Sequence, residues 1–131
     1  MEQENKKLLL RYLCMALPYK VKVCLYEQET CILLGIDGYD VYLDVDSDSF
    51  RIESIKPYLR PMSSMTEEEK EEFDDFCVID EFAWEGNSEI GYKNQAIIMS
   101  DAIEWLLKKH FDFLDLIPKG LAIEVSEENN L

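Results

Sequence analysis

The sequence predicts an α+β fold: an antiparallel meander of about four strands, with the curvature for a small, partly closed barrel, packed by an N-terminal helix and two later helices. Three observations support this. Residues 19–55 alternate apolar and polar side chains between short turn-forming stretches. The segments on either side space their apolar residues with helical periodicity. The 131 residues are enough for one core but too few for two ordinary domains. A single domain is therefore expected over 1–125, with a frayed acidic tail at 126–131.

The first helix is placed at 4–16, where Leu9, Tyr12, Leu13 and Ala16 share a face widened by Leu10, Cys14 and Leu17. Pro18 ends it, because the residue before a proline avoids α geometry. In the meander, Asp37-Gly38 is the strongest turn signal, since both residue types tolerate positive φ. It pairs Ile36 with Tyr39, Leu34 with Val41 and Ile32 with Leu43. A turn near Glu27-Gln28 pairs Val23 with Ile32 and Val21 with Leu34. A four-residue turn, Asp46-Ser47-Asp48-Ser49, pairs Val45 with Phe50 and Leu43 with Ile52. All three turns put Val21, Val23, Leu25, Ile32, Leu34, Ile36, Val41, Leu43, Val45, Phe50 and Ile52 on one face. The other face then holds Lys22, Cys24, Cys31, Leu33, Tyr42, Asp44, Arg51 and Glu53. Asp44 lies opposite Arg51, and Cys24 and Cys31 are direct partners that stay reduced.

Residues 56–65, with Pro57 and Pro61, are expected to leave the sheet. Thr66 and Glu69 form a capping box that opens a helix with Phe73, Phe76, Cys77 and Phe82 on its apolar side. Residues 84–94 read as a loop. A last helix runs from a Ser100 cap to about His110, with Ile103, Trp105, Leu106 and Leu107 inward. The stretch Leu121–Val125 docks as an added strand.

Charge excludes several functions. Twenty-eight acidic residues against 13 basic give a net charge of −15, unsuited to holding nucleic acid through its phosphates. It is also uneven: residues 1–25 carry +3 and residues 66–85 carry −9. No apolar run approaches the ~20 residues of a membrane span, and the N-terminus lacks the pattern of a secretory signal. Cys14, Cys24, Cys31 and Cys77 form no C-x-x-C pair and sit among apolar neighbours, as buried thiols of a cytoplasmic protein do.

Candidate chemistry is sparse. Asp44, Asp46 and Asp48 begin like a calcium loop, but Ser49 stands where the sharp turn needs Gly and Ile55 where a bidentate Glu belongs. They read best as a polar turn and as weak metal candidates. His110 beside Asp112 has no companion nucleophile and reads as a helix-end residue. Tyr39, Tyr42, Tyr58 and Trp84 offer a possible aromatic platform, with at least two of the four expected to pack against helices. The acidic run TEEEKEEFDDF is either a solvated helix face or a docking surface for a basic protein. The carboxylates that would serve the second role are Glu67, Glu68, Glu71, Glu72 and Asp75.

The segments KPYLRPMSSMTEEEKEEF (56–73) and AIEWLLKKHFDFLDLIPKGLAIE (102–124) resemble a family of small uncharacterised proteins of Bacteroides-type gut bacteria, often in prophage or other mobile regions. The resemblance rests on Tyr58-Leu59-Arg60-Pro61, Trp105-Leu106 and the run from Leu116 to Leu121. It implies a bacterial cytoplasmic accessory protein. No nucleophile elbow, phosphate loop, metal motif or carboxylate dyad is visible, and no cofactor is implied. The expected function is therefore a non-catalytic protein-interaction role. The alternative is an acidic inhibitor or DNA mimic acting on a nucleic-acid enzyme.

Overall fold

The computed structural model describes residues 1–45, 49–76 and 88–125, without the side chains of Phe76 and 88–92. Helix α1 (Gln3–Ala16) buries Leu9, Tyr12, Leu13 and Ala16, the stripe its spacing predicts. A 3₁₀ turn, Leu17–Tyr19, follows around Pro18. Five strands come next: β1 (Lys22–Leu25), β2 (Glu29–Asp37), β3 (Asp40–Leu43), β4 (Phe50–Arg51) and β5 (Ile55–Leu59). Helices α2 (Glu67–Phe76) and α3 (Ser88–Lys108) precede the last strand, β6 (Ile123–Glu124).

The fold is α+β, and its sheet is larger than the predicted four strands. Six strands run in the order β4-β3-β2-β1-β5-β6. Every neighbouring pair is antiparallel except β5–β6, which is parallel, and the sheet stays open between its β4 and β6 edges. One core lies under it. The α1 stripe, the inner face of the sheet and Leu107, Leu116, Leu121 and Ala122 form a single buried cluster.

The register differs from the predicted one by a single residue at β1–β2. Val23 lies opposite Cys31, and Lys22 opposite Ile32. The cause is the turn. Gln28 N–H bonds the Leu25 carbonyl at 3.1 Å while Tyr26 and Glu27 both adopt left-handed φ, +52° and +60°. A turn of that kind normally recruits Asn and Gly, so the sequence does not advertise it. A one-residue slip exchanges the faces. Cys31 and Leu33 are buried, whereas Leu34 is 61% exposed. Cys24 and Cys31 therefore lie on opposite faces and are not partners. Glu27→Gly should raise stability by up to about 1 kcal/mol by removing a left-handed Cβ penalty. A rightward shift of the urea midpoint at constant m-value is the check.

A bulge then restores the phase. The β2–β3 pairing runs Leu33 opposite Leu43, Gly35 opposite Tyr42 and Ile36 opposite Val41, so Leu34 is the extra residue. The hairpin loop is Gly38-Tyr39 rather than Asp37-Gly38, with Asp37 opposite Asp40 and Gly38 at φ +62°. Val41 points inward and Tyr42 outward, as predicted, but Val41 faces Ile36, not Leu34. At β4, Phe50 faces Val41 and Arg51 faces Asp40, so Asp44 is not the partner of Arg51. Instead, Asp44 Oδ1 accepts the Ile32 N–H at 2.7 Å.

Residues 55–59 do not leave the sheet as expected; they form β5 beside β1. Pro57 is tolerated there. The bond from Tyr26 N–H to the Ser54 carbonyl sets the alternation of bonded pairs, so Pro57 opposite Val23 turns its nitrogen away from β1. Helix α3 is twice the predicted length, because the expected loop at 84–94 is helical from Ser88 onward. Its end is set by Leu106, Leu107 and His110. Phe111 N–H reaches the Leu106 carbonyl and His110 N–H the Leu107 carbonyl, with His110 left-handed at φ +60°. The expected tail at 126–131 lies outside the described residues.

Candidate functional site: the acidic helix and its anchor

Helix α2 begins with the predicted capping box. Glu69 N–H bonds Thr66 Oγ1 at 3.1 Å, and Thr66 N–H bonds Glu69 Oε1 at 3.0 Å. Glu69 also receives a forked pair from Arg60: Nη1 to Oε2 at 2.9 Å and Nη2 to Oε1 at 2.7 Å. This holds the Glu69 carboxyl down at about 2, chiefly through the Arg60 hydrogen bonds. The guanidinium lies 4.2 Å from the Phe111 ring centre, which stacks on Trp105 at 5.7 Å. Trp105 meets Phe73 of α2 at 5.4 Å. Arg60 is itself fixed: its N–H bonds the His110 carbonyl, and its carbonyl accepts the Asp112 N–H, each at 2.8 Å. Glu69 and Phe73, four residues apart, thus fasten one stripe of α2 to the junction of β5 and α3.

Every other carboxylate of the helix faces water. Glu67, Glu68, Glu71, Glu72, Asp74 and Asp75 are all exposed. Lys70, the one cation among them, sits 3.2 Å from Glu67 in an exposed pair. The five predicted interaction residues therefore share a solvent-facing surface on a helix whose inner stripe is pinned. Cys77 and Phe82, expected on the apolar side, lie outside the described residues.

The other candidates are dispersed. Asp44 spends one oxygen on the sheet, and Asp46 and Asp48 lie outside the described residues. No group of three or more His, Cys, Asp or Glu among the described residues is arranged to hold a metal ion. His110 caps α3 through its backbone; burial, with Lys22 and Arg60 nearby, pushes its pKa below the usual value. Tyr39 belongs to α1's surroundings: its hydroxyl accepts from Gln3 Nε2 at 3.0 Å and Lys6 lies over its ring. Tyr42 is exposed and Tyr58 half-buried on the outer sheet face, while Trp84 lies outside the described residues. Cys24 and Cys31 are buried as expected, but Cys14 is exposed.

Two residues carry more structure than their sequence context suggested. One is Arg60. The other is Asp112, 4% exposed, whose two oxygens accept the N–H groups of Leu116 at 2.8 Å and Ile117 at 2.9 Å. Burial, and secondarily that carboxylate, raises the pKa of the Tyr12 hydroxyl, which finds no hydrogen-bond partner among the described residues. The spacing of Asp112 before a turn containing Pro118 and Gly120 was the available signal for its role. Among the described residues, no helix is long and apolar enough to cross a membrane. No family model, curated protein or solved structure matches this chain.

Proposed function

We propose that the protein is a non-catalytic, cytoplasmic interaction module of a bacterial or prophage genome that docks a basic protein through α2. The observation that carries this reading is the division of labour along the helix. Glu69 and Phe73 are committed to the anchor, leaving Glu67, Glu68, Glu71, Glu72 and Asp75 on one rigid, exposed face. A fixed acidic face steers an oppositely charged partner and keeps the ordering cost of binding low. Its like-charged i,i+4 pairs, Glu67–Glu71 and Glu68–Glu72, each cost a few tenths of a kcal/mol in isolation.

The experiment compares wild type with Glu68→Gln/Glu72→Gln. Stability should rise slightly, because repulsion is relieved away from the anchor. The association rate with a basic partner isolated from the host should fall several-fold at low salt and converge with wild type as salt rises. An on-rate indifferent to both charge and salt refutes the docking role and leaves a solvated helix face.

A further inference from the structure

The outer face of the sheet holds a cleft of about 290 Å³ at the start of β5, away from the α2 anchor at its end. Cys24 and Lys56, cross-strand partners, form its floor. Ile123 of β6 flanks them, and Tyr26 and Glu27 of the β1–β2 turn close one end. The strain at that turn has little structural return. Tyr26 and Glu27 are held at φ +52° and +60°, where Asn and Gly cost less. Tyr26 is 59% exposed in spite of an edge contact with Phe50. The Glu27 carboxylate comes no nearer than 3.8 Å to Lys56 Nζ, and with side chains 81% and 38% exposed the pair adds little to stability. Left-handed residues other than Gly that packing does not reward occur where a site needs their side chains.

We propose that the cleft binds a small aliphatic α-amino acid, its carboxylate on Lys56 and its ammonium on Glu27. Glu53, the other carboxylate of the lining, is committed to Lys6 at 2.7 Å, which leaves Glu27 and Lys56 as one anion and one cation exposed side by side. Their closeness selects the ligand. A zwitterion set between them must carry its two charges close together, as on one α-carbon, not at the two ends of a peptide. It exchanges one loose pair for two charge-assisted contacts. The volume lies at the lower bound of small-molecule sites, about 300 Å³. Cys24 and Ile123 supply an apolar surface, suited to an aliphatic side chain no larger than that of leucine.

This inference is independent of α2, whose carboxylates take no part in the cleft. Isothermal titration calorimetry of the full chain with glycine, alanine, valine and leucine is the test. N-acetyl-leucine and leucine methyl ester serve as probes that each lack one charge. The expected result is saturable binding of valine or leucine at millimolar concentration or below, weaker by roughly tenfold for both derivatives. Glu27→Gly separates the site from the fold, because it relieves the turn while removing the partner of the ammonium. Its urea midpoint should rise while its affinity falls roughly tenfold, a split that damage to the fold would not produce. Lys56→Met should weaken leucine to a similar extent but leave the methyl ester, which has no carboxylate to lose, unaffected. Absence of saturable binding by all four amino acids overturns the proposal. So does a derivative that binds as tightly as leucine, or wild-type affinity in Glu27→Gly.

Discussion

Asp112→Ala is expected to destabilise the protein by about 3 kcal/mol or more, the largest effect of a single polar substitution here. The carboxylate is almost completely buried and ties two successive backbone N–H groups, those of Leu116 and Ile117. Truncation leaves both donors unsatisfied next to Leu116, which belongs to the main core cluster. Asp112→Asn should be less costly, because its amide oxygen can still accept one bond while its NH₂ faces the second donor. Denaturant melts of the three proteins should therefore rank wild type, Asn and Ala in falling order. Equal midpoints for Asn and Ala would show that the two bonds do not contribute separately.

The second large effect is expected from Arg60→Met, at about 2 kcal/mol near neutral pH. The substitution removes the fork onto Glu69 and the cation over Phe111, while the methylenes keep their packing. It should also change the acid limb of the stability curve. The Glu69 carboxyl ordinarily titrates at 4.5 and is held at about 2 in the fold. Its contribution is thus present above pH 4.5 and is lost as pH falls toward 2. Solvent reaches the Arg60 end of the pair, 28% exposed against 12% for Glu69, so the linked contribution is about 1–2 kcal/mol. In Arg60→Met, thermal melts between those pH values should show a flatter slope than wild type. An unchanged slope would mean that the fork does not set the Glu69 titration.

Much of the local structure was legible because local chemistry determined it. The α1 stripe, the Thr66–Glu69 capping box and the docking of 121–125 each follow from residues close together in sequence. The orientation of Val41 and Tyr42 followed from alternation alone. The register of β2 was not legible, because Tyr26 and Glu27 occupy left-handed positions that their residue types disfavour, and Asp37-Gly38 offered a better-looking turn one residue early. β5 was hidden by Pro57, whose acceptability depends on which side of the strand its nitrogen faces. Ser100, a good cap residue inside a helix, concealed the first half of α3. At the candidate site the acidic face could be read directly from composition. Arg60 could not, because it joins segments that meet only in three dimensions, the ends of β5 and α3 with the start of α2. Asp112 acts locally, on N–H groups four and five residues ahead, and only its spacing before the turn containing Pro118 and Gly120 hinted at the role.

The extra residue at Leu34 has a consequence for how this sheet can change length. Leu33 and Ile36 already face the core together, with Gly35 outward against Tyr42. Loss of Leu34 alone would convert the bulge into a regular ladder and leave every inward side chain in place. Leu33 and Leu34 are identical neighbours, so loss of either codon gives this same chain. The strand thus tolerates the loss of one leucine codon without a change in what the core sees. The same loss would remove a leucine that is 61% exposed from the surface.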